Sequence, residues 1–433
     1  MKTRSILGKK DTSWQLPFFV IWTGQTFSLV GSQLVGFAFV WYLTDLTGSA
    51  KVLALAATME WLPRVLIGPF AGVVVDRWNR RSVMLTADSV TALATAMIIY
   101  LSWVGDIALW HLYLLMMVRS IGSSFHYPAM QATTSLMVPA DSLTRLQGLN
   151  HLLQGAMNII APILGAILIA SMPIYGVLGI DVITALIAIL SLLLIQVPQP
   201  ERAQNTERGS SMILKEMQDG FRYVWNWVGL RKVLVLAVVI NFLSMPALIL
   251  MPIFVKTHFQ GGAGEVAGMQ SAWSIGFLLG ALLLSTWGGF KRKIITATIA
   301  IFGSGIAMVV VGISPAAAYS QAVGGFVIAG LMNVFMNGPT LAMLQTVVDK
   351  DKQGRVFALV ISLANAMTPL GLAIAGPIAE VAGVQTWFIF AAVAFLLAGV
   401  FATLDRDVRN IEDGNHITQL NVDTTPSIQG STL

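Results

Sequence analysis

Long apolar runs recur along this chain and restrict what it can fold into. Stretches of about 20 or more mostly apolar residues are each long enough to cross a hydrocarbon core of about 30 Å. Only 11% of the residues are charged and the mean hydropathy is +0.75, so the chain cannot cover a water-facing surface. Because lipid offers no partners to the backbone, each run is predicted to form a membrane-spanning helix. The twelve predicted spans are 16–43, 49–75, 82–104, 108–137, 143–171, 174–196, 231–256, 265–289, 294–313, 318–347, 354–382 and 385–404.

Basic residues are distributed unevenly between the two sides of this predicted bundle. With the N-terminus inside, all but four of the 26 Lys and Arg lie in inside turns and tails. Lys51 and Lys256 fall outside, and Arg64 and Arg119 fall within spans. This positive-inside bias predicts that both termini are cytoplasmic. It also accounts for the sequence pI of 9.5 without any nucleic-acid partner.

Several functional classes are disfavoured because the sequence lacks the residues or motifs that they need. The first apolar run is too long for a signal-peptide core and no small-residue cleavage site follows it, so no cleavable signal is expected. The absence of cysteine excludes disulfides, thiolate metal sites and cysteine nucleophiles. No P-loop is present, so ATP hydrolysis is not expected to supply energy. Of five histidines only His126 falls deep inside a predicted span, and the others lie near the membrane faces or in the tail, which disfavours a metal site or a membrane-embedded enzyme.

The segment between Gln196 and Arg231 separates the spans into two groups of six. We therefore predict an N-terminal half over 1–200, a cytoplasmic linker over 201–230, a C-terminal half over 231–404 and a polar, disordered cytoplasmic tail over 405–433. An amphipathic helix on the inner membrane face is predicted for the second part of the linker, with a solvated linker as the alternative. Its apolar residues at helical spacing are Met217, Phe221, Val224, Trp225 and Val228.

The two halves resemble each other in sequence. A shift of about 210 residues aligns NRRSV with FKRKI, SSFHYPAMQ with VFMNGPTLA, and TRLQG with GRVFA. Pro128 then matches Pro339, and Arg145 matches Arg355. Two parallel six-helix repeats are a common transporter architecture, with the substrate site between them near mid-membrane.

Charge is concentrated in the turn between the second and third spans, GPFAGVVVDRWNRRS at 68–82. Gly72, Asp76, Arg77, Arg80 and Arg81 follow the pattern G-x-x-x-D-R-x-x-R-R. This resembles the signature of the major facilitator superfamily, G-x-x-x-D-[RK]-x-G-x-[RK]-[RK], with a tighter arginine spacing. Asn79 stands where the family prefers glycine, and we expect it to adopt the left-handed backbone that glycine would supply. The resemblance covers the whole chain and implies an all-α integral membrane protein, with twelve transmembrane helices in two six-helix pseudo-repeats.

The resemblance gives this turn a second interpretation besides that of a topology anchor. Asp76, at the inner end of the second span, can accept hydrogen bonds from the N-terminus of a helix in the other half. The arginines can pair with acids and with lipid phosphates. Together they predict a latch that holds the halves closed on the inner side, with Asp88 near the inner face supporting it.

Other stretches resemble the macrolide-efflux branch of the superfamily. They are WTGQTFSLVGSQL in the first span, YLTDLTGSA in the first outside turn, RSIGSSFHYPAMQA in the fourth span and GRVF at 354–357. The resemblance implies a monomeric exporter of hydrophobic drugs in the bacterial inner membrane, driven by proton entry and needing no cofactor. Exporters of siderophores or lipid-like metabolites, and a proton-coupled symporter of a small solute, are the alternatives.

The fifth span carries a second motif, GAMNIIAPILGAIL, which resembles the antiporter motif of drug/proton exporters. Small residues and a proline at this spacing either couple the direction of transport or simply let helices pack closely. The residues concerned are Gly155, Asn158, Ala161, Pro162, Gly165 and Ala166.

Methionine and aromatic residues are abundant enough to line a broad apolar site. The chain has 20 Met, 12 Trp and 21 Phe, and deformable methionine-rich surfaces suit promiscuous binding. The amides of the second half can bind a substrate but cannot carry a proton, so proton chemistry is predicted in the first half. The predicted lining residues are Gln25, Phe27, Met59, Trp61, Phe125, Met130, Asn241, Met245, Asn333, Phe335, Met336 and Asn337.

Ionisable residues inside the spans are costly and are therefore candidates for function. Glu60, Arg119 and Asp181 are predicted at similar depth, and with His126, which shares a helix face with Arg119, they are the candidates for proton coupling. Arg119 needs an acidic partner, for which Glu60 and Asp181 are the candidates. Asp181 is interpreted as a structural partner and Glu60 as the proton carrier, balanced by Arg119. Alternatively Glu60 and Arg64, four residues apart, neutralise each other on one helix face.

Overall fold

The computed structural model describes residues 13–199 and 210–413, and these ranges are almost wholly helical, with no strand. The α-helices are α1 (Gln15–Thr47), α2 (Ala50–Arg77), α3 (Arg80–Val104), α4 (Leu109–Met137), α5 (Ala140–Ser171), α6 (Ile174–Leu194), α7 (Ser210–Asn226), α8 (Val228–Ile249), α9 (Met251–His258), α10 (Ala263–Trp287), α11 (Lys293–Gly312), α12 (Tyr319–Val347), α13 (Gln353–Ala382), α14 (Val384–Leu404) and α15 (Arg406–Arg409). A 3-10 turn follows at Ile411–Asp413.

Eleven of the described helices are long and apolar enough to cross a membrane: α1–α3, α5, α6, α8 and α10–α14. Helix α4 is long enough, at 29 residues, but it is more polar because it carries Arg119, His126 and several serines. It packs against α2 and α3, both of which are spans, so it completes a set of twelve. The all-α membrane architecture is therefore confirmed.

The seventh predicted span, 231–256, was wrong as a single helix. It forms α8 and the short α9, with Leu250 between them. Pro252 lacks the backbone N–H that would bond the carbonyl of Leu248, so the helical ladder is interrupted here. The Leu250 N–H still bonds the Pro246 carbonyl at 2.9 Å, which is the last helical bond of α8.

The chain divides into two compact units, Met1–Glu207 with Gly261–Gly268, and Arg208–Gln260 with Met269–Leu433. In the N-terminal unit α1 packs against α5 and α6, and α3 packs against α4 and α6. In the C-terminal unit α8 packs against α13 and α14, and α11 packs against α12 and α14. These are the same pairings between the corresponding spans, so the six-helix pseudo-repeat seen in the sequence is present in the packing.

Glycines allow α10 and α12 to approach closely. A Cβ at Gly276 would overlap the carbonyl oxygen of Val327, and one at Gly330 would overlap that of Trp273. A Cβ at Gly280 would lie 2.7 Å from the carbonyl oxygen of Leu331. Backbone therefore meets backbone over two turns, as in membrane helix pairs built on small residues.

The predicted amphipathic helix corresponds to α7. Val224 is buried against the C-terminal unit, whereas Phe221 and Trp225 are exposed and stack with ring centroids 5.3 Å apart. The side chain of Met217, also predicted on this face, lies outside the described part of the chain. An apolar exposed surface on α7 suits contact with a membrane face.

The start of the predicted disordered tail is ordered. Residues 405–413 form α15 and the 3-10 turn, and acidic side chains hold them to neighbouring helices. Lys232 of α8 lies 2.6 Å from Asp405 and 2.6 Å from Asp407, and Glu412 accepts from the Ile294 N–H at the start of α11. The rest of the tail, 414–433, lies outside the described residues.

Candidate functional site

The N-terminal unit contains a cavity of about 360 Å³ within its own helices, here called the N-terminal cavity. Its wall combines apolar residues with an unusual number of polar and charged ones for a membrane interior. The ionisable residues on it are Glu60, Arg64, Asp88, Arg119, His126 and Asp181. The hydroxyl and amide residues are Gln25, Ser28, Ser32, Gln33, Thr91, Ser120 and Ser123.

Arg119 forms an ion pair with Asp181, which joins α4 to α6. Ser32 of α1 donates to Oδ1 of Asp181 at 3.1 Å, and Thr95 of α3 donates to Oδ2 at 3.3 Å. Asp181 is only 2% exposed, so both of its oxygens are satisfied within a closed network. Of the two candidate acids, Asp181 is therefore the partner of Arg119. Side chains of α1, α3 and α4 meet at this carboxylate of α6.

Glu60 is paired within its own helix. Its Oε1 lies 3.0 Å from a guanidinium nitrogen of Arg64, and the two side chains are 37% and 44% exposed. Arg64 also lies over the Trp61 ring, 5.9 Å from its centroid. Ser120 of α4 donates to the backbone carbonyl of Glu60, so α2 and α4 are joined here by the backbone of Glu60 rather than by its carboxylate.

Asp88 was predicted near the inner face, in support of the charged turn, and that role stays a prediction. Asp88 lines the N-terminal cavity, with Oδ2 accepting from the Gln25 side chain at 3.1 Å and Oδ1 lying 3.4 Å from Nε2 of His126. The sequence interpretation placed Asp88 by depth alone. Depth does not give the side of α3 on which a residue lies, and this side faces α1 and α4.

The C-terminal unit contains a cavity of about 250 Å³, here called the C-terminal cavity. All the described residues that line it are uncharged. It includes five of the predicted lining residues: Asn241, Met245, Asn333, Met336 and Asn337. The sequence analysis missed Ser244, Trp273, Ser304, Met308 and Phe395, which belong to the same wall but carry no sequence signal beyond those of many similar residues.

Two amides of the C-terminal cavity are already partly engaged. Asn241 donates to the Ala237 carbonyl and Asn337 donates to the Asn333 carbonyl, each at 2.9 Å and one turn back along its helix. Each bond fixes a side-chain orientation and leaves the amide oxygen as an acceptor.

Several predicted lining residues lie elsewhere. Of the first-half set, Gln25 lines the N-terminal cavity, whereas Phe27, Met59, Trp61, Phe125 and Met130 do not. Phe125 and Met130 pack against a buried apolar cluster, and Phe27 is half exposed. Phe335 packs against Trp287 with centroids 6.0 Å apart, outside the C-terminal cavity. Helical spacing places these side chains on a face but does not distinguish packing from lining.

The charged turn is built differently from the expectation for Asn79. That residue has φ −68° and ψ 114°, which is extended rather than left-handed backbone. Its side chain accepts from the Ser82 N–H at 3.1 Å and caps the N-terminus of α3. Asparagine is therefore suited to this position as an N-cap. A Cβ at Gly72 would meet no atom within 4 Å, so packing in the described chain does not require glycine there.

The two arginines after the turn fasten α3 to its own unit. Arg81 donates to the carbonyls of Leu192 and Leu193, at 2.6 Å and 2.8 Å, near the C-terminal end of α6. A cation at a helix C-terminus is favoured by the helix dipole. Arg80 donates to the Ala132 carbonyl of α4 and lies 3.8 Å from Asp76. Asp76 itself is 65% exposed.

The antiporter-like motif lies within α5. Gly165 lets α5 pack against α1, because a Cβ there would lie 2.7 Å from the Phe37 ring. Ala161, Pro162 and Ala166 are buried at the same face, whereas Asn158 accepts from Gln154 at 3.0 Å. These contacts favour the close-packing interpretation of the motif. A role of the motif, including Gly155, in the direction of transport stays a prediction.

Outside the spans, the pKa values of two groups in the C-terminal unit depart from their usual values, one through hydrogen bonds and the other through burial. Burial alone would raise the pKa of Asp405, but hydrogen bonds from Lys232 and from the Val408 and Asp407 N–H groups hold it below the usual 3.8. Burial raises the pKa of Tyr223 on α7, which also bonds Asp349.

The sequence matches the family described as "Transmembrane secretion effector" over residues 14–429. It is 30% identical to Macrolide efflux protein A of Streptococcus pyogenes over 405 residues, covering 93% of this chain and 99% of that protein. It is 27% identical to the multidrug efflux pump Tap of Mycolicibacterium fortuitum, covering 88% and 94% of the two chains. The chain belongs to the transmembrane secretion effector family. It is a major facilitator transporter of the macrolide-efflux branch, as the sequence resemblance predicted.

Solved structures confirm the fold of this transporter. The nucleoside transporter NupG has a TM-score of 0.69 at 14% identity, covering 90% of this chain and 100% of that one. A bacterial homologue of the iron transporter ferroportin, in the inward-facing state, has a TM-score of 0.70 at 15% identity, covering 92% and 99%. At these identities the likeness establishes the major facilitator fold alone. With the efflux relatives, it identifies the chain as a multi-span efflux transporter.

Proposed function

We propose that this transporter exports hydrophobic, drug-like compounds, macrolides among them, by proton-coupled antiport and alternating access. The relatives at 27% to 30% identity are named for macrolide and multidrug efflux, and they cover nearly the whole chain. In this proposal the protein lies in the bacterial cytoplasmic membrane as a monomer, with both termini in the cytoplasm. It uses the proton gradient and no cofactor.

The observation that carries the proposal is the separation of chemistry between two cavities. The N-terminal cavity holds every ionisable group found on either wall, and the described wall of the C-terminal cavity is uncharged. Charged groups are costly in a membrane interior and are retained where ions or protons are handled. An amide, methionine and aromatic wall suits large, mostly apolar molecules with scattered polar groups.

Substrate recognition follows from the C-terminal cavity in this proposal. The free amide oxygens of Asn241 and Asn337 accept from hydroxyl or amine groups of the substrate. Met245, Met308 and Met336 adapt to different apolar shapes because the thioether side chain is flexible. Such a wall favours breadth of specificity over tight selection.

Glu60 is the proton carrier in this proposal. It is the most exposed carboxylate of the N-terminal cavity, and its partner Arg64 is also exposed, so water can reach the pair. Asp181 is buried and bonded on both oxygens, which suits a fixed structural charge. Drug binding and protonation of Glu60 exclude each other, and Arg119, anchored by Asp181, sets the local field.

Transport in proteoliposomes with an imposed pH gradient tests the proposal. Purified protein should move erythromycin against its gradient when protons run the opposite way, and Glu60→Gln should abolish that accumulation. The matched control is Asp106→Asn, in the exposed turn between α3 and α4. If the wild type moves sugars or amino acids but no hydrophobic drug, export of drugs is rejected. If Glu60→Gln still concentrates drug, the proton is carried elsewhere.

A further inference from the structure

The charges on the wall of the N-terminal cavity do not balance. Its acids are Glu60, Asp88 and Asp181, and its permanent cations are Arg64 and Arg119. Arg64 pairs with Glu60 and Arg119 pairs with Asp181. Asp88 is therefore the acid without an arginine, and with a neutral histidine the wall carries one unmatched negative charge.

The immediate surroundings of Asp88 offer a titratable partner instead. Oδ2 accepts from the Gln25 side chain of α1, and Oδ1 faces Nε2 of His126 on α4 at 3.4 Å. That Nε2 is shielded from solvent and has no hydrogen-bond partner among the described residues. A shielded polar atom without a partner is unfavourable, and a hydrogen bond to the facing carboxylate would remove that penalty.

We infer that Asp88 and His126 form a second proton-binding site of the transporter, separate from Glu60. One proton taken up from water joins the pair between Oδ1 and Nε2. The net charge of the pair then changes from −1 to zero, and the shielded nitrogen gains its hydrogen bond. Histidine is the side chain whose ordinary titration lies in the physiological range, and the remaining ionisable groups on the wall form the two arginine pairs.

Gln25 connects this site to another helix. Its bond to Asp88 joins α1 to α3, and a bond to an ionised carboxylate is roughly twice as strong as one between neutral groups. Loading the proton on Nε2 adds a donor from α4 to the same carboxylate, so α1, α3 and α4 are then joined at Asp88. The inference rests on the proposed proton-coupled export for its role in transport, but not for proton binding itself.

Nitrogen NMR of histidine-labelled full-length protein in lipid nanodiscs tests proton binding without any drug. The chain has five histidines, and the signal of His126 is the one lost in His126→Gln. We expect this signal to change with pH over the range in which histidine ordinarily titrates, about pH 5 to 8, and its titration to change in Asp88→Asn but not in Asp106→Asn. A His126 signal that does not titrate, or one that titrates identically in Asp88→Asn, overturns the inference. Size-exclusion profiles confirm that each variant is folded.

Erythromycin transport tests the role of the pair. Two proton sites predict an efflux rate that depends on pH more steeply than one proton allows, and a change in apparent drug affinity of about fivefold or more across the titration. Asp88→Asn and His126→Gln should each reduce the dependence to that of one proton, while drug exchange at equal pH continues. The inference is overturned if the efflux rate of the wild type depends on pH only as steeply as one proton allows. It is also overturned if Asp88→Asn keeps the two-proton dependence. If the wild type moves no erythromycin, the proposed function fails, and the NMR titration still decides the proton site.

Discussion

Asp181 and Glu60 are carboxylates inside membrane-spanning helices, and their surroundings give them different roles. Asp181 accepts from Arg119, Ser32 and Thr95 and is almost completely buried. Glu60 has a half-exposed arginine one turn away on its own helix. A buried charge held by three partners is part of the packed structure, whereas the Glu60–Arg64 pair is open to its surroundings.

Replacing Asp181 by asparagine should therefore damage the structure more than replacing Glu60. Removing one partner of a buried ion pair costs about 3–5 kcal/mol, because the other charge remains buried and unpaired. We expect the Asp181→Asn variant to unfold at a lower denaturant concentration than Glu60→Gln in matched micelles. The double variant Asp181→Asn with Arg119→Gln should recover part of the loss. Equal stability of the two single variants would contradict this assignment of roles.

The choice of partner for Arg119 shows where sequence reasoning ends at this scale. Counting residues from the span ends placed Glu60 and Asp181 at the same depth, and both were candidates. Rotation of α2 and α6 about their axes decides between them, and that rotation follows from packing along each whole helix. For the same reason the sequence indicated a depth for Asp88 but not its place on the wall of the N-terminal cavity.

At the scale of helices, the contact between α10 and α12 gives a direct test of packing. Adding a methyl group at Gly276 forces the helices apart at the Val327 carbonyl. We expect Gly276→Ala to destabilise the protein by about 1–3 kcal/mol. Gly324→Ala, on α12 itself, is the matched control, because its Cβ would meet no atom within 4 Å. Thermal unfolding in detergent compares the two variants, and equal melting temperatures would contradict the close approach.

The segment 405–413 contributes stability that depends on pH. The pKa of Asp405 is lower in the folded protein than its usual 3.8, so its ionised form is the one favoured by folding. Its contribution is therefore complete above pH 3.8 and is lost as the pH falls through the folded value. Asparagine keeps an N-cap for α15 but removes the charge facing Lys232.

We accordingly expect Asp405→Asn to lower the melting temperature at neutral pH, with the difference from wild type shrinking as the pH falls below 3.8. Differential scanning fluorimetry over a pH series measures this difference, with Asp106→Asn as the control. A difference that grows on acidification would have the wrong sign for a depressed carboxyl pKa.

For the whole molecule, the sequence predicted the number of spans and the repeat because these depend on hydropathy and on spacing along the chain. It also located five of the residues on the C-terminal cavity, since polar amides are conspicuous in apolar helices. It missed the break at Leu250 and the ordered segment 405–413. The ordered segment depends on contacts made after folding, such as those of Lys232 and Glu412. The break follows from Pro252, but other prolines of this chain lie inside unbroken helices, so a proline alone does not predict a break.

The role of the charged turn concerns the whole transporter, because the predicted latch would act between its two halves. Arg80 and Arg81 bond helices of their own unit, but Asp76 remains 65% exposed. If its carboxylate latches the inner side of the transporter, Asp76→Asn should preserve insertion and favour the inward-open state. The chain has no cysteine, so a single Met336→Cys substitution on the C-terminal cavity reports access by an impermeant maleimide. We expect faster labelling from the cytoplasmic side in Asp76→Asn and wild-type labelling in the charge-preserving Asp76→Glu. Unchanged labelling together with unchanged efflux would leave the turn as a topology anchor, because a latch that bears on neither access nor transport has no part in alternating access.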